Sequence, residues 1–138
     1  MTYHNILLEK LEYYGIRGHA KKWFCSYLNN INIGVPQGSV LGPLLFLLYV
    51  NDIPSCVKEG SLRLFADDTN VFFSHKSINI LKEIAERDMV NLHNWFTANR
   101  LLLNLNKTCF CVYSNKDSKR LQEIIVNNQV IKRAPIVK

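Results

Sequence analysis

The twelve residues LRLFADDTNVFF, from Leu62 to Phe73, constrain this chain more than any other stretch. Apolar, β-forming residues stand on both sides of the adjacent carboxylates Asp67 and Asp68. That pattern predicts two strands joined at a polar tip. A tight hairpin prefers Asn-Gly or Asp-Gly, because positive φ is needed at its centre. Neighbouring aspartates repel one another and lack glycine's freedom. Either water screens an acidic turn, or something from outside the chain compensates. A divalent cation is the simplest compensator, since Mg²⁺ is held by one or two carboxylates together with substrate phosphates.

The flanking pattern is helical on both sides. Ile6, Leu7, Leu8 and Leu11 make one apolar stripe, Gly15 and Gly18 bracket a turn, and Ala20, Trp23, Phe24, Tyr27 and Leu28 make a second. Aromatics at this spacing are expected in the core. In GVPQGSVLGPLLFLLYVNDIP, Gly34, Pro36 and Gly38 predict a loop, and Gly42-Pro43 predicts a helix entry. The helix from Leu44 to Val50 is apolar on every side and is expected to be buried all round. The run Val40 to Val50 is too short to span a bilayer. Asp52 reads as a structural acid near the helix end. Ile78 to Phe96 carries Leu81, Ile84, Ala85, Met89, Leu92, Trp95 and Phe96 on one face, and the hairpin is expected to pack on it. Leu101 to Tyr113 alternates like a strand interrupted at Asn104 to Thr108, and Ile124 to Ile131 reads as a hairpin turning at Asn127-Asn128. The expected class is α+β, an antiparallel sheet with helices packed on one face.

A chain of 138 residues fits one domain. The net charge of +6 leans toward a polyanionic partner, and it is uneven. Beyond Leu101 seven Lys or Arg residues face only Asp117 and Glu123, whereas Asn51 to Arg100 holds six bases and seven acids. The basic end is either a nucleic-acid contact or a solvated tail. Cys25, Cys56, Cys109 and Cys111 form no CxxC pair and are expected to be buried free thiols in a reducing compartment. No secretory leader is evident, and a cytoplasmic or nuclear location is expected, without a membrane.

The loop Pro36-Gln37-Gly38-Ser39 precedes the apolar helix. It is either an ordinary turn or a place where backbone N–H groups approach a phosphate. Taken together, GVPQGSVLGPLLFLLYVNDIP, RLFADDTNVFF and NWFTANRLLLNLNKT resemble the reverse transcriptase of non-LTR, LINE-type retrotransposons, of the jockey and CR1 type. The likeness runs from HNILLEKLEYYGIRGHAKKWFCSYL to about Ile131. It implies a palm subdomain that adds deoxynucleotides to a DNA primer on an RNA template, using Mg²⁺ or Mn²⁺. By resemblance Asp67 and Asp68 hold the metal ions. Phe65 and Ala66 lie beside the nucleotide or primer end, Gln37 and Gly38 lie near nucleotide and template, and Lys107 approaches the departing pyrophosphate.

Two departures lead to the expectation that this chain alone does not extend a primer. The family carries another catalytic aspartate on a strand before the segment that begins here at His4, and this chain opens Met1-Thr2-Tyr3. Only Asn29 to Ile33 separate Leu28 from Gly34, where the family has a longer stretch. The expectation is a palm fragment over 1–138 without that strand, the fingers tip or the thumb, with a partner chain as one possible source of the missing pieces. The alternative is an inactive remnant that binds nucleic acid weakly and without sequence preference.

Overall fold

A computed structural model describes residues 3–29, 40–65, 68–113 and 121–134. Its elements are α1 (His4–Tyr13), α2 (Gly18–Asn29), α3 (Leu41–Val50), a short 3₁₀ turn (Ile53–Cys56), β1 (Ser61–Phe65), β2 (Asp68–Phe72), α4 (Ile78–Ala98), β3 (Glu123–Val126) and β4 (Gln129–Lys132). The chain divides into two compact units, one of Met1–Ile53 with Phe96–Leu101, the other of Pro54–Trp95 with Leu102–Lys138.

In the first unit α1 packs against α2 and α3 around the buried Leu7, Leu11, Leu28, Leu45, Tyr49 and Ile53. Gly15, at φ +91°, ends α1: its N–H donates to the Glu12 carbonyl and that of Ile16 donates to Leu11. Those two bonds satisfy carbonyls that the helix end leaves open. Lys10 Nζ donates to the Tyr49 carbonyl at 2.7 Å and pairs with Asp52 Oδ1 at 2.5 Å, so a cation from α1 seals the C-terminal end of α3. Asp52 is thus the structural acid expected of it. Tyr49 Oη donates to the Asn99 carbonyl at 2.7 Å, and burial pushes that hydroxyl above the ordinary tyrosine range. Its contribution to stability is present below about pH 10 and is lost as pH rises through the folded value.

Two core expectations need correction in this unit. Trp23 is 53% exposed, stacked on Tyr27 on the outer side of α2. The α3 helix is buried on one side only: Leu45, Tyr49 and Val50 are covered, whereas Leu47 is 61% exposed and Leu44 is exposed as well. Apolar character fixes which residues lose by exposure, but not whether another element covers each face.

In the second unit α4 buries Ala85, Met89 and Leu92, the heart of its expected stripe. Arg100 takes φ +52° where glycine is usual, and its N–H and that of Leu101 close the helix on Thr97 and Phe96. The strand expected over Leu101 to Tyr113 is not formed. Asn104 instead nucleates a turn, accepting from the backbone N–H groups of Lys107 and Thr108, and among the described residues Phe110 alone makes an isolated bridge, to Arg133. The expected single sheet is, among the described residues, two separate two-stranded antiparallel sheets, β1-β2 and β3-β4. The α+β class stands. None of the four cysteines forms a disulfide, as expected, but none is buried, and Cys109 and Cys111 are exposed.

Candidate functional site

The β1-β2 register is Ser61↔Phe72, Leu62↔Val71, Arg63↔Asn70, Leu64↔Thr69 and Phe65↔Asp68. Only Ala66 and Asp67 separate the last pair in sequence, and both lie outside the described residues. Directly opposed residues share a face. Phe65, Asp68, Arg63, Asn70 and Phe72 therefore stand on one side, and all are exposed. Leu62, Thr69 and Val71 line the other side and are half-buried. The apolar–acidic–apolar pattern thus yields a hairpin whose outer face begins at a carboxylate.

Neither strand contributes a buried residue. The expected link between this hairpin and the α4 helix is seen at the hairpin's base. Asp88, on α4 and 1% exposed, turns Oδ2 toward the loop before β1, accepting from the backbone N–H groups of Lys58 (3.0 Å), Glu59 (2.7 Å) and Gly60 (3.0 Å). Gly60 sits where a Cβ would come within 2.6 Å of Phe73 Cε1, 2.8 Å of Val71 Cγ1 and 3.0 Å of Val57 Cγ1. Only a residue without a side chain lets the loop approach the hairpin's closing strand this closely. The sequence reading missed Asp88. Its signal was an acid within the apolar stripe, three residues after Ala85 and directly before Met89.

Lys107 is exposed in the turn built on Asn104, its backbone N–H donating to Asn104 Oδ1 at 3.2 Å. No ion pair among the described residues joins it to Asp68. Phe65 and Asp68 are thus brought together as a cross-strand pair, and Lys107 stands on a separate turn. Gln37 and Gly38, like Ala66 and Asp67, lie outside the described residues.

Asp68 is exposed and forms no ion pair among the described residues. No group of three or more His, Cys, Asp or Glu side chains that could hold a metal occurs among the described residues. Further ligands would come from Asp67, substrate, water or other protein segments. No helix among the described residues is long and apolar enough to cross a membrane.

Comparison with known proteins supplies the family. Residues 3–133 match the family described as reverse transcriptase (RNA-dependent DNA polymerase). A probable RNA-directed DNA polymerase from transposon X-element of Drosophila melanogaster is 40% identical over 67 residues, 43% of this chain and 7% of that protein. The RNA-directed DNA polymerase from mobile element jockey of the same organism is 28% identical over 98 residues, 66% of this chain and 11% of the relative. A probable RNA-directed DNA polymerase from transposon BS, also of Drosophila melanogaster, is 32% identical over 87 residues, covering 56% and 10%. The matched regions span about a tenth of these curated relatives. No solved structure matches. With nearly its whole length matched, the chain belongs to the reverse transcriptase (RNA-dependent DNA polymerase) family.

Proposed function

We propose that this chain is the metal-bearing part of a retrotransposon reverse-transcriptase palm, spanning 1–138, and serves RNA-directed DNA synthesis. The observation that supports this most is the hairpin register, which pairs Phe65 with an exposed Asp68 beside the FADD tip. In this reading Asp67 and Asp68 hold Mg²⁺ or Mn²⁺, which lowers the cost of charge developing on the phosphoryl oxygens. Phe65 and Ala66 contact the primer end or the incoming deoxynucleotide. Gln37 and Gly38 border nucleotide and template. Lys107 brings positive charge toward the departing pyrophosphate, because phosphoryl transfer depends mainly on positioning and electrostatics. The partners are an RNA template, a DNA primer and deoxynucleoside triphosphates.

Mn²⁺ titration of the chain and of Asp67→Asn/Asp68→Asn tests the reading. Weak binding lost in the double variant, and strengthened in the wild type by primer–template and nucleotide, is the expected result. Equal binding by both proteins would move the metal elsewhere. Primer extension with the same pair asks whether the site is complete. Incorporation above the double variant would show that the necessary ligands are present.

A second reading, an inactive remnant that binds nucleic acid without sequence preference, draws on the seven bases beyond Leu101. It predicts no incorporation. It also predicts binding to single strands whose log K falls with log salt at a slope of roughly −0.7 per phosphate neutralised.

A further inference from the structure

We infer that Asp88 is a positioning residue that sets where the FADD hairpin stands relative to α4. The inference rests on reading that hairpin as the metal-bearing element, and it goes beyond that reading in naming what holds the hairpin. Three observations converge on one carboxylate. Neither strand of the hairpin holds a fully buried residue, so its side chains anchor it only through the half-buried Leu62, Thr69 and Val71. Asp88 Oδ2 gathers three consecutive N–H groups, those of Lys58, Glu59 and Gly60, and Gly60 leads directly into Ser61, the first residue of β1. Gly60 is in turn close against Val71 and Phe73, where the returning strand reaches the same base of the hairpin. Carboxylate, loop and both hairpin ends form one continuous linkage.

The chemistry suits placement better than bulk stability. A buried carboxylate is costly unless its lone pairs are satisfied, and among the described residues Asp88 Oδ1 accepts no hydrogen bond and meets the Arg87 guanidinium as a loose ion pair at 3.9 Å. An apolar residue at this point of the stripe would avoid burying a charge. It would leave three backbone donors of the 58–60 loop without their acceptor. What only the acid supplies is a fixed point for that loop, as a supporting hydrogen bond orients a metal ligand.

The test uses the whole chain and begins without metal. Residual dipolar couplings of the Phe65, Asp68 and Val71 amides are compared with those of α4 in the wild type, Asp88→Asn, Asp88→Leu and the core control Ile131→Val. Asp88→Asn keeps one acceptor and is expected to retain most of the hairpin's alignment with α4. Asp88→Leu is expected to lose it, and Ile131→Val to lower the melting temperature while leaving it intact. Unchanged couplings in Asp88→Leu would overturn the inference, whatever metal does. If that variant does not fold, hydrogen exchange at 58–60 in the wild type decides, because exchange as fast as in an unfolded loop would also overturn it. Mn²⁺ broadening of the Phe65 and Asp68 amides is then followed. A loss of affinity of about tenfold or more in Asp88→Leu, absent in Ile131→Val, is expected from the cost of removing a supporting contact. Broadening that is absent in the wild type, or unaffected by Asp67→Asn/Asp68→Asn, would count against the metal reading and leave the tether to be judged by the couplings alone.

Discussion

Two hairpins of almost equal size lie in the same compact unit, and they are built on opposite principles. β3-β4 turns at Asn127 and Asn128, which take φ +47° and +63°, the sign that a type I′ turn demands and that asparagine tolerates. It buries Ile124, Val126 and Ile131. Two side chains of α4 hold its outside: Glu86 Oε1 accepts from the Ile125 N–H at 2.7 Å, and His93 Nδ1 lies 2.8 Å from Asn127 Nδ2. β1-β2 has Ala66-Asp67 between its last paired residues, buries nothing, and leaves Phe65 79% exposed. Its tip has neither asparagine nor glycine, and its outer face leaves Phe65 and Phe72 in solvent beside Arg63, Asp68 and Asn70. One hairpin combines favoured turn residues with a buried apolar face, as the rules for stability ask. The other departs from them at the residues the proposed chemistry needs, which is where local rules are expected to fail in a functional protein.

The comparison can be broken most directly in the core. Ile131→Ala should cost about 2–5 kcal/mol, the range for removing a fully buried aliphatic side chain. Phe72→Ala on the other hairpin should stay within about 0.5 kcal/mol, as an exposed substitution does. Urea midpoints measure both, and equal losses would erase the distinction. Gly60→Ala comes next, at about 1–3 kcal/mol, because the added methyl must displace Val71, Val57 and Phe73. A neutral result would mean the base of β1-β2 yields more easily than its contacts suggest.

Turn chemistry gives the smaller effects. Asn128→Ala should cost about 1 kcal/mol, since an alanine at positive φ carries a steric penalty that asparagine partly escapes. The matching change at the other tip has the opposite sign. Ala66→Asn/Asp67→Gly installs the preferred turn pair and should stabilise the chain by roughly 0.5 kcal/mol, while Mn²⁺ binding at the hairpin falls. A variant both more stable and still able to bind Mn²⁺ there would remove Asp67 from the proposed site.

Local order was legible in the residues themselves. The stripe from Leu81 to Phe96 announced α4, the pattern around Asp67-Asp68 announced β1-β2, and the valine and isoleucine runs around Asn127-Asn128 announced β3-β4. These signals are short-range: periodicity and turn preference act within a few residues. Family membership was legible for a related reason, since three motifs in order carry chemistry that few other patterns serve. What tertiary structure decided was which faces find partners. Trp23, Leu44 and Leu47 carry the same apolar signal as Leu28, Leu45 and Tyr49, yet only the second set is covered. Leu101 to Tyr113 alternates well enough for a strand, but a strand needs a neighbour along its length, and here only Phe110 found one. Asp88 went unremarked in the apolar stripe, and it is the fold that brings three N–H groups to it from about thirty residues away. A sequence specifies a residue's own preference; the free energy of a contact belongs to both partners, and the partner is chosen by the whole chain.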